Sequence, residues 1–307
     1  MASLGLSALL LIILEITICG TIIVFVPYTE IDWRAYMEEV SGFLAGELNY
    51  TNLRGGTGPL VYPAGFTYLY SALYFLTDSG TNILTAQVIF ATIYVTTLFV
   101  VLALYATAAS SKGQGSLPVW VPFLLAASKR VHSLYMLRMF NDTLAMLFLY
   151  IAVLMIVRRR WLTGCLTYSF AFSIKMNVAL FSPALLLLLL ANHSIPKVIF
   201  YIVAMGGLQL LLGLPFLLHA PVAYLTRAFE LSRVFTYKWT VNFRFLDEST
   251  FQSKPMAVLL IILTLLSWGI LSRRWWSKKG RFSEADTVAL FFEFNVVAVA
   301  FSRTLHY

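Results

Sequence analysis

Charge is scarce in this sequence: Asp, Glu, Lys and Arg make up 12% of its 307 residues, against about 25% in an ordinary soluble domain. That scarcity excludes a normally solvated globular surface, because 60% of the residues are apolar and something other than water must cover them. Cysteine is nearly missing. Cys19 and Cys165 both lie inside apolar runs, which excludes a disulfide framework and a cysteine metal site. No Gly-Lys-Ser/Thr follows the glycines near residue 55, so there is no P-loop. No Asp-x-Asp occurs anywhere, and there is no internal repeat, low-complexity tract or soluble linker. The economical organisation is one membrane domain over residues 1–307.

What is present is long apolar runs. The mean hydropathy is +0.81, and runs approaching the roughly 20 residues a bilayer span needs recur along the chain. They predict an all-α polytopic membrane protein of roughly eight to nine spans, near 6–27, 82–108, 117–131, 139–157, 162–174, 176–191, 197–218, 255–272 and 286–302. No Lys or Arg precedes Arg34, so the first run reads as a membrane helix and not as a signal peptide. The pieces 162–174 and 176–191 are short; they make either a tight hairpin around Lys175 and Asn177 or one broken helix, tolerated where it lines a protein-enclosed cavity.

Charge placement orients the spans. The connections near 109–116, 158–161, 192–196 and 273–285, with adjoining span edges, hold ten basic residues against Glu284 and Asp286. On the opposite side, 29–81 carries Glu30, Asp32, Glu38, Glu39, Glu47 and Asp78 against Arg34 and Arg54. By the positive-inside rule the acidic loop faces away from the cytosol, into a lumen. The net charge of +8 is therefore no sign of nucleic acid. One group of basic residues escapes this explanation: Arg227, Arg233, Lys238, Arg244 and Lys254, with Lys129, Arg130, Arg138, Lys175 and Arg303, fall on the lumenal side. A fixed anion at that surface accounts for them, and phosphate is the simplest. Of the sequons at Asn49, Asn141 and Asn192, the last falls on the cytosolic side and is expected to be silent.

Four stretches can carry chemistry. In Tyr28–Val40, residues at helical spacing from Trp33 form an apolar stripe suited to a helix lying on the membrane. Glu38, Glu39 and Glu47 read either as its solvated acidic face or as functional groups. Asp32 stands at the junction of span and helix, where it is either a partly desolvated base or a helix N-cap. The glycine- and proline-rich stretch 53–66, with Tyr62, reads equally as an ordinary turn or a binding loop. His132, Arg138, Asn141 and Asp142 sit near a helix end, where ionisable groups at membrane depth are functional candidates; a structural Arg138–Asp142 pair is the alternative. In 227–246, basic residues interleave with aromatics including Trp239, which suits either an interfacial aromatic belt or a phosphate and sugar.

Several long blocks carry a resemblance: TEIDWRAYMEEV (29–40), GGTGPLVYPAGF (55–66), RVHSLYMLRMFND (130–142), SIKMNVALFSP (173–183), LGLPFLL (212–218), RAFELSRVFTYKWTVNFRFL (227–246) and FSRTLHY (301–307). In this order they resemble the ER dolichyl-phosphate-mannose-dependent α-1,3-mannosyltransferases of lipid-linked oligosaccharide assembly. The resemblance implies a GT-C helical bundle with interfacial helices in its first lumenal loop, in the ER membrane, with its active site facing the lumen. The implied donor is dolichyl-phosphate mannose and the implied acceptor is Man(5)GlcNAc(2)-PP-dolichol, with no cofactor and no metal. It assigns Asp32 as the catalytic base. The candidate substrate-binding residues are Glu30, Trp33, Tyr62, Arg138, Asn141, Asp142, Lys175, Arg233, Lys238, Trp239, Arg244, Arg303 and His306. Family members continue after the LHY stretch, so the chain is expected to be truncated at its C-terminus. Another dolichol-linked mannosyl- or glucosyltransferase is the nearest competing reading, and a polytopic lipid transporter one of a different class, for which buried charges and broken spans are also expected.

Overall fold

The computed structural model describes residues 2–111, 120–230, 237 and 242–302. Their regular elements are helices apart from a small hairpin, β1 (Arg54–Gly55) and β2 (Gly58–Pro59), which pairs Arg54 with Pro59 and Gly55 with Gly58. Among the described residues, four helices are long and apolar enough to cross a bilayer: α1 (Ala2–Phe25, spanning over Leu6–Phe25), α4 (Ile83–Ser111), α10 (Ile195–His219) and α13 (Lys254–Trp276). They fall on the predicted windows 6–27, 82–108, 197–218 and 255–272. Their outer faces leave large apolar side chains uncovered, with Leu211 66%, Leu218 78% and Ile270 71% exposed. Exposure on this scale marks a membrane-facing surface. The protein is an all-α polytopic membrane protein.

The remaining windows are shorter helices. The 117–131 window is broken into α5 (Trp120–Ala126) and α6 (Lys129–His132), and a π-helical turn, Ser133–Leu137, continues α6. The chain then bends by 111° into α7 (Asn141–Val157). After α8 (Trp161–Ile174) comes a 3-10 turn, Met176–Phe181, that runs into α9 (Ser182–Asn192). The interruption expected near Lys175 is present: α8 stops at Ile174 and Lys175 has extended backbone.

The chain divides into two compact units, Met1–Val178 with Phe200–Glu230, and Ala179–Ile199 with Leu231–Tyr307. In the first, α7 is the central element. Leu144, Ala145, Leu149, Ala152, Val153 and Ile156 are all buried, so the helix is apolar around its whole circumference, as a fully enclosed helix must be. It packs against α8 and α4, and α1 lies against α4. The interfacial pair α2 (Trp33–Leu44) and α3 (Ala64–Leu76) pack on each other, and α3 also packs on α8. Short α11 (Pro221–Ala228) completes this unit through Tyr224, whose ring stacks on Phe216 at 5.6 Å.

Two close approaches fix where the polar residues end up. A Cβ on Gly65 would lie 1.9 Å from Ser173 Oγ, so α3 and α8 cross at a distance only glycine permits. That crossing brings the loop bearing Tyr62 against the end of α8, which bears Lys175. Likewise a Cβ on Gly55 would lie 2.4 Å from Ala35 O, so the β hairpin rides directly on the α2 backbone.

In the second unit α13 packs on α14 (Glu284–Ala300) and both touch α9. Trp268 Nε1 donates to Phe294 O at 2.9 Å and Trp275 Nε1 to Glu293 Oε2 at 2.8 Å. A capping box of Ser283 and Asp286 starts α14, preceded by α12 (Glu248–Gln252) at the head of α13.

Candidate active site

Asp32 occupies the N-cap position of α2, yet its side chain makes no capping hydrogen bond. Glu30 does that work: its Oε1 accepts from Arg34 N at 3.1 Å, and its Oε2 accepts from the Tyr28 hydroxyl at 2.5 Å. The carboxylate of Asp32 is thus spared for other partners. It is half-buried, and burial holds its pKa above the usual range, against the Lys175 ammonium and hydrogen bonds from Thr57 and Tyr36, with Glu30 adding to the rise.

Beyond Asp32 the same face of α2 carries Tyr36 and Glu39. The Tyr36 ring meets Tyr62 at 5.8 Å, Phe66 at 5.2 Å and Tyr70 at 5.0 Å, all near edge-to-face, the arrangement aromatic quadrupoles favour. Burial first, then neighbouring tyrosines and Asp32, keep the Tyr36 phenol protonated at any ordinary pH. Glu39 departs from the solvated acidic face. It is 4% exposed and its Oε2 has no hydrogen-bond partner. Burial pushes its pKa up to about 9, with Asp32 and Glu38 contributing. The reason is register: Glu39 lies seven residues after Asp32, on the face turned to α3, whereas Glu38 points outward. Glu38 is exposed, bonded to Arg34 Nε at 3.1 Å and to Gly56 N at 2.6 Å. Glu47, half-buried, accepts from Asn49 N at 2.7 Å.

Lys175 stands in the break after α8 with extended backbone (φ −153°, ψ 132°). Its ammonium bonds the Asp142 carboxylate and, at 3.1 Å, Asn141 Oδ1. It also lies 5.9 Å from the Tyr62 ring centre. Asn177 Nδ2 donates to the other Asp142 oxygen at 3.1 Å. Asn141 and Asp142 open α7 and are 0% and 5% exposed; a carboxylate at a helix N-terminus is also favoured by the helix dipole. The alternative Arg138–Asp142 pair does not form, because Lys175 and Asn177 occupy the carboxylate. Arg138 Nε and Asn141 Nδ2, both buried, have no hydrogen-bond partner, and unsatisfied buried donors require an explanation.

The structure therefore brings together Asp32, Tyr62, Asn141, Asp142 and Lys175, with Glu30 and Arg138 in the segments that lead into α2 and α7. Trp33 is spent on packing: 1% exposed, it donates from Nε1 to Gly80 O at 2.9 Å and meets Phe90 edge-on at 5.9 Å. Arg244 is in the second unit, exposed, its guanidinium 5.8 Å from the Tyr237 ring centre. Arg233, Lys238, Trp239, Arg303 and His306 lie outside the described residues. Among the described residues no group of three or more His, Cys, Asp or Glu side chains is placed to hold a metal ion. Sequence reasoning missed Thr57 and Tyr36 as partners of Asp32 and Asn177 as a partner of Asp142. Helical spacing from Asp32 was the available signal for Tyr36; nothing local pointed to Thr57.

The family profile described as "ALG3 protein" matches residues 9–307. A Neurospora crassa protein named Dol-P-Man:Man(5)GlcNAc(2)-PP-Dol alpha-1,3-mannosyltransferase is 47% identical over 280 residues, 91% of this chain and 62% of that protein. The Drosophila melanogaster protein named Dolichyl-P-Man:Man5GlcNAc2-PP-dolichol alpha-1,3-mannosyltransferase l(2)not2 is 49% identical over 86% of this chain and 54% of its own length. The Homo sapiens protein named Dol-P-Man:Man(5)GlcNAc(2)-PP-Dol alpha-1,3-mannosyltransferase is 41% identical over 98% of this chain and 72% of its own length. The chain thus spans little more than half the length of some of the curated relatives it matches. No solved structure matches it significantly. With a family profile covering all but the first eight residues and relatives above 40% identity, the chain belongs to the ALG3 protein family.

Proposed function

We propose that this chain carries the catalytic face of an enzyme that transfers mannose from dolichyl-phosphate mannose to Man(5)GlcNAc(2)-PP-dolichol in α-1,3 linkage, on the lumenal side of the ER membrane. The observation that carries the reading is Asp32, a half-buried carboxylate spared from helix capping and opposed by the Lys175 ammonium. The names of the relatives supply the substrates.

In this reading Asp32 takes the proton from the acceptor 3-hydroxyl. That oxygen forms a bond to C1 of the donor mannose as the C1–O bond to phosphate breaks, and dolichyl phosphate leaves with the bonding pair. A β-linked donor giving an α product is one inverting displacement, which needs one base and no covalent intermediate. The raised pKa of Asp32 makes it a stronger base than a solvated carboxylate. Arg138 Nε and Asn141 Nδ2, donors without protein acceptors, suit the phosphate oxygens on which charge develops. Tyr62, half-buried with its ring centre 5.9 Å from the Lys175 ammonium, supplies an aromatic face of the kind that packs against a sugar ring.

The test is transfer of labelled mannose from dolichyl-phosphate mannose to the five-mannose lipid-linked acceptor in microsomes lacking the endogenous activity. The expectation is a six-mannose product with the chain and none with Asp32→Asn. Full transfer by Asp32→Asn would remove the base assignment. No transfer by the unsubstituted protein would remove the activity.

A further inference from the structure

A second polar cluster lies away from Asp32, within the membrane. Glu15 is the tenth residue of the 20-residue span Leu6–Phe25, hence near its middle, and is 2% exposed. Its Oε2 lies 2.7 Å from His132 Nε2 and accepts from the Tyr94 hydroxyl at 2.9 Å. Tyr94 in turn packs on His132 at 5.1 Å and on Tyr135 at 5.2 Å, and the Tyr135 hydroxyl donates to Thr97 Oγ1 at 3.4 Å. A carboxyl at bilayer depth is costly and persists where it has a task. Nothing in the reaction proposed above uses it directly.

The task follows from what His132 is attached to. It ends the four-residue helix α6 and begins the π-helical turn Ser133–Leu137, closed by Arg138 N to Ser133 O at 2.9 Å. Two residues later Met139 has φ +49°, the left-handed region that a side chain rarely adopts. Neither a π turn nor a left-handed methionine holds itself; each persists only where surrounding contacts over-determine it. Those contacts are Gln87 Nε2 to Met136 O at 2.9 Å, Thr29 N to Leu137 O at 3.1 Å, Tyr70 Oη to Met139 O at 3.4 Å, and the Glu15 cluster at the start of the turn. The strained segment ends at Asn141 and Asp142, the residues that hold Lys175 beside Asp32.

We propose that Glu15, His132 and Tyr94 form an intramembrane lock that positions the head of α7, and through it Asn141, Asp142 and Lys175, for transfer. The inference rests on the activity proposed above, and the three residues are positioning residues that do not touch substrate. Glu15 ties α1 to the bend, and Tyr94 ties the same oxygen to α4, so three segments meet at one carboxyl. The lock explains why a short, locally unstable segment can present two side chains at a fixed place.

The experiment compares Glu15→Leu, His132→Leu, the double variant and Glu15→Gln with the unsubstituted protein in lipid nanodiscs. Each single leucine variant is expected to lower kcat at least tenfold while KM for donor and acceptor stays within twofold. The double variant is expected to be no worse than the weaker single, because both remove one shared interaction. Glu15→Gln, which still accepts from Tyr94, is expected to recover most of the rate. Independently of activity, amide exchange should accelerate across 133–143 in the leucine variants and stay unchanged in α13 and α14. Unchanged exchange at 133–143, a kcat within twofold of the unsubstituted protein, multiplicative losses in the double variant, or exchange rising uniformly along the chain would each overturn the lock. If the unsubstituted protein transfers no mannose, the activity reading falls and the exchange measurement alone decides the lock.

Discussion

Lys175 and Asp142 stand 33 positions apart in the chain and are joined by a charged hydrogen bond, with side chains 18% and 8% exposed. Asp142 gives its second oxygen to Asn177, so the start of α7 and the break after α8 are clasped by one carboxylate. Removing one partner of such a pair leaves a buried charge uncompensated, at roughly 3 kcal/mol or more. Lys175→Met is therefore expected to lower thermal stability in detergent, and Lys175→Met/Asp142→Asn to recover part of the loss. The same change removes from Asp32 the charge that holds its pKa down. The acid limb of the pH–rate profile should accordingly move to higher pH in Lys175→Met, and a profile that stays in place would contradict the electrostatic coupling.

Asp32→Asn separates stability from chemistry. Loss of a general base costs typically about 10²–10⁴-fold in rate, and radiolabel transfer at saturating donor reads that directly. The folded-state pKa of Asp32 is raised, so the folded protein holds its proton more tightly than the unfolded chain does. Stability from this group is full below the unfolded carboxylate pKa and is lost as pH rises through the raised folded value. At neutral pH the asparagine variant should thus melt no lower than the unsubstituted protein while being inactive.

Glu39 gives a stronger form of the same sign. Its pKa moves from 4.5 when unfolded to about 9 in place, so unfolding releases a proton across that window and stability declines as pH climbs through it. Glu39→Gln removes the dependence. Melting temperatures measured between pH 5 and pH 9 should converge at the acid end and favour the glutamine variant increasingly toward the alkaline end. Parallel curves for the two proteins would mean that Glu39 is solvated.

The Gly65 crossing is open to a packing test. Gly65→Ala sets its Cβ against Ser173 Oγ at 1.9 Å, Ser173 Cβ at 2.7 Å and Ser173 C at 3.0 Å; because backbone is among these, the clash is not relieved by a rotamer change. Overpacking of this kind costs roughly 1–3 kcal/mol. Transfer should fall along with melting temperature, since Tyr62 and Lys175 lie on the two segments that separate. Ser173→Gly removes two of the three clashing atoms and should restore part of both losses.

The long apolar runs were readable because a span must be apolar over a whole window, and α1, α4, α10 and α13 match them closely. Asp32 and Lys175 were readable as polar residues where apolar ones were due. The same windowing concealed Glu15: one carboxyl among 23 other helical residues scarcely alters the mean, and its partner His132 is 117 positions away. Glu39 was ambiguous because helical spacing places it on the Asp32 face while its neighbours 38 and 47 are turned elsewhere; only the packing of α3 onto α2 decides. Arg138 and Asp142 sit at a spacing that pairs on a helix, but Arg138 closes a π turn and a left-handed Met139 interrupts the helix between them, and neither feature has a marker in residue type.

Six residues, 26–31, separate the end of α1 from Asp32. Fully extended they reach roughly 20 Å, and the Thr29 amide is pinned to Leu137 O at 3.1 Å, which shortens the tether further. In the proposed reaction Asp32 then works within a short reach of the end of α1, like a tool on a short arm. With Asp32 as base, a sugar hydroxyl is presented correctly only when its own lipid anchor holds it at that level. The membrane then acts as a ruler for the acceptor, and a glycan released from its lipid should be a poor substrate even with every sugar intact.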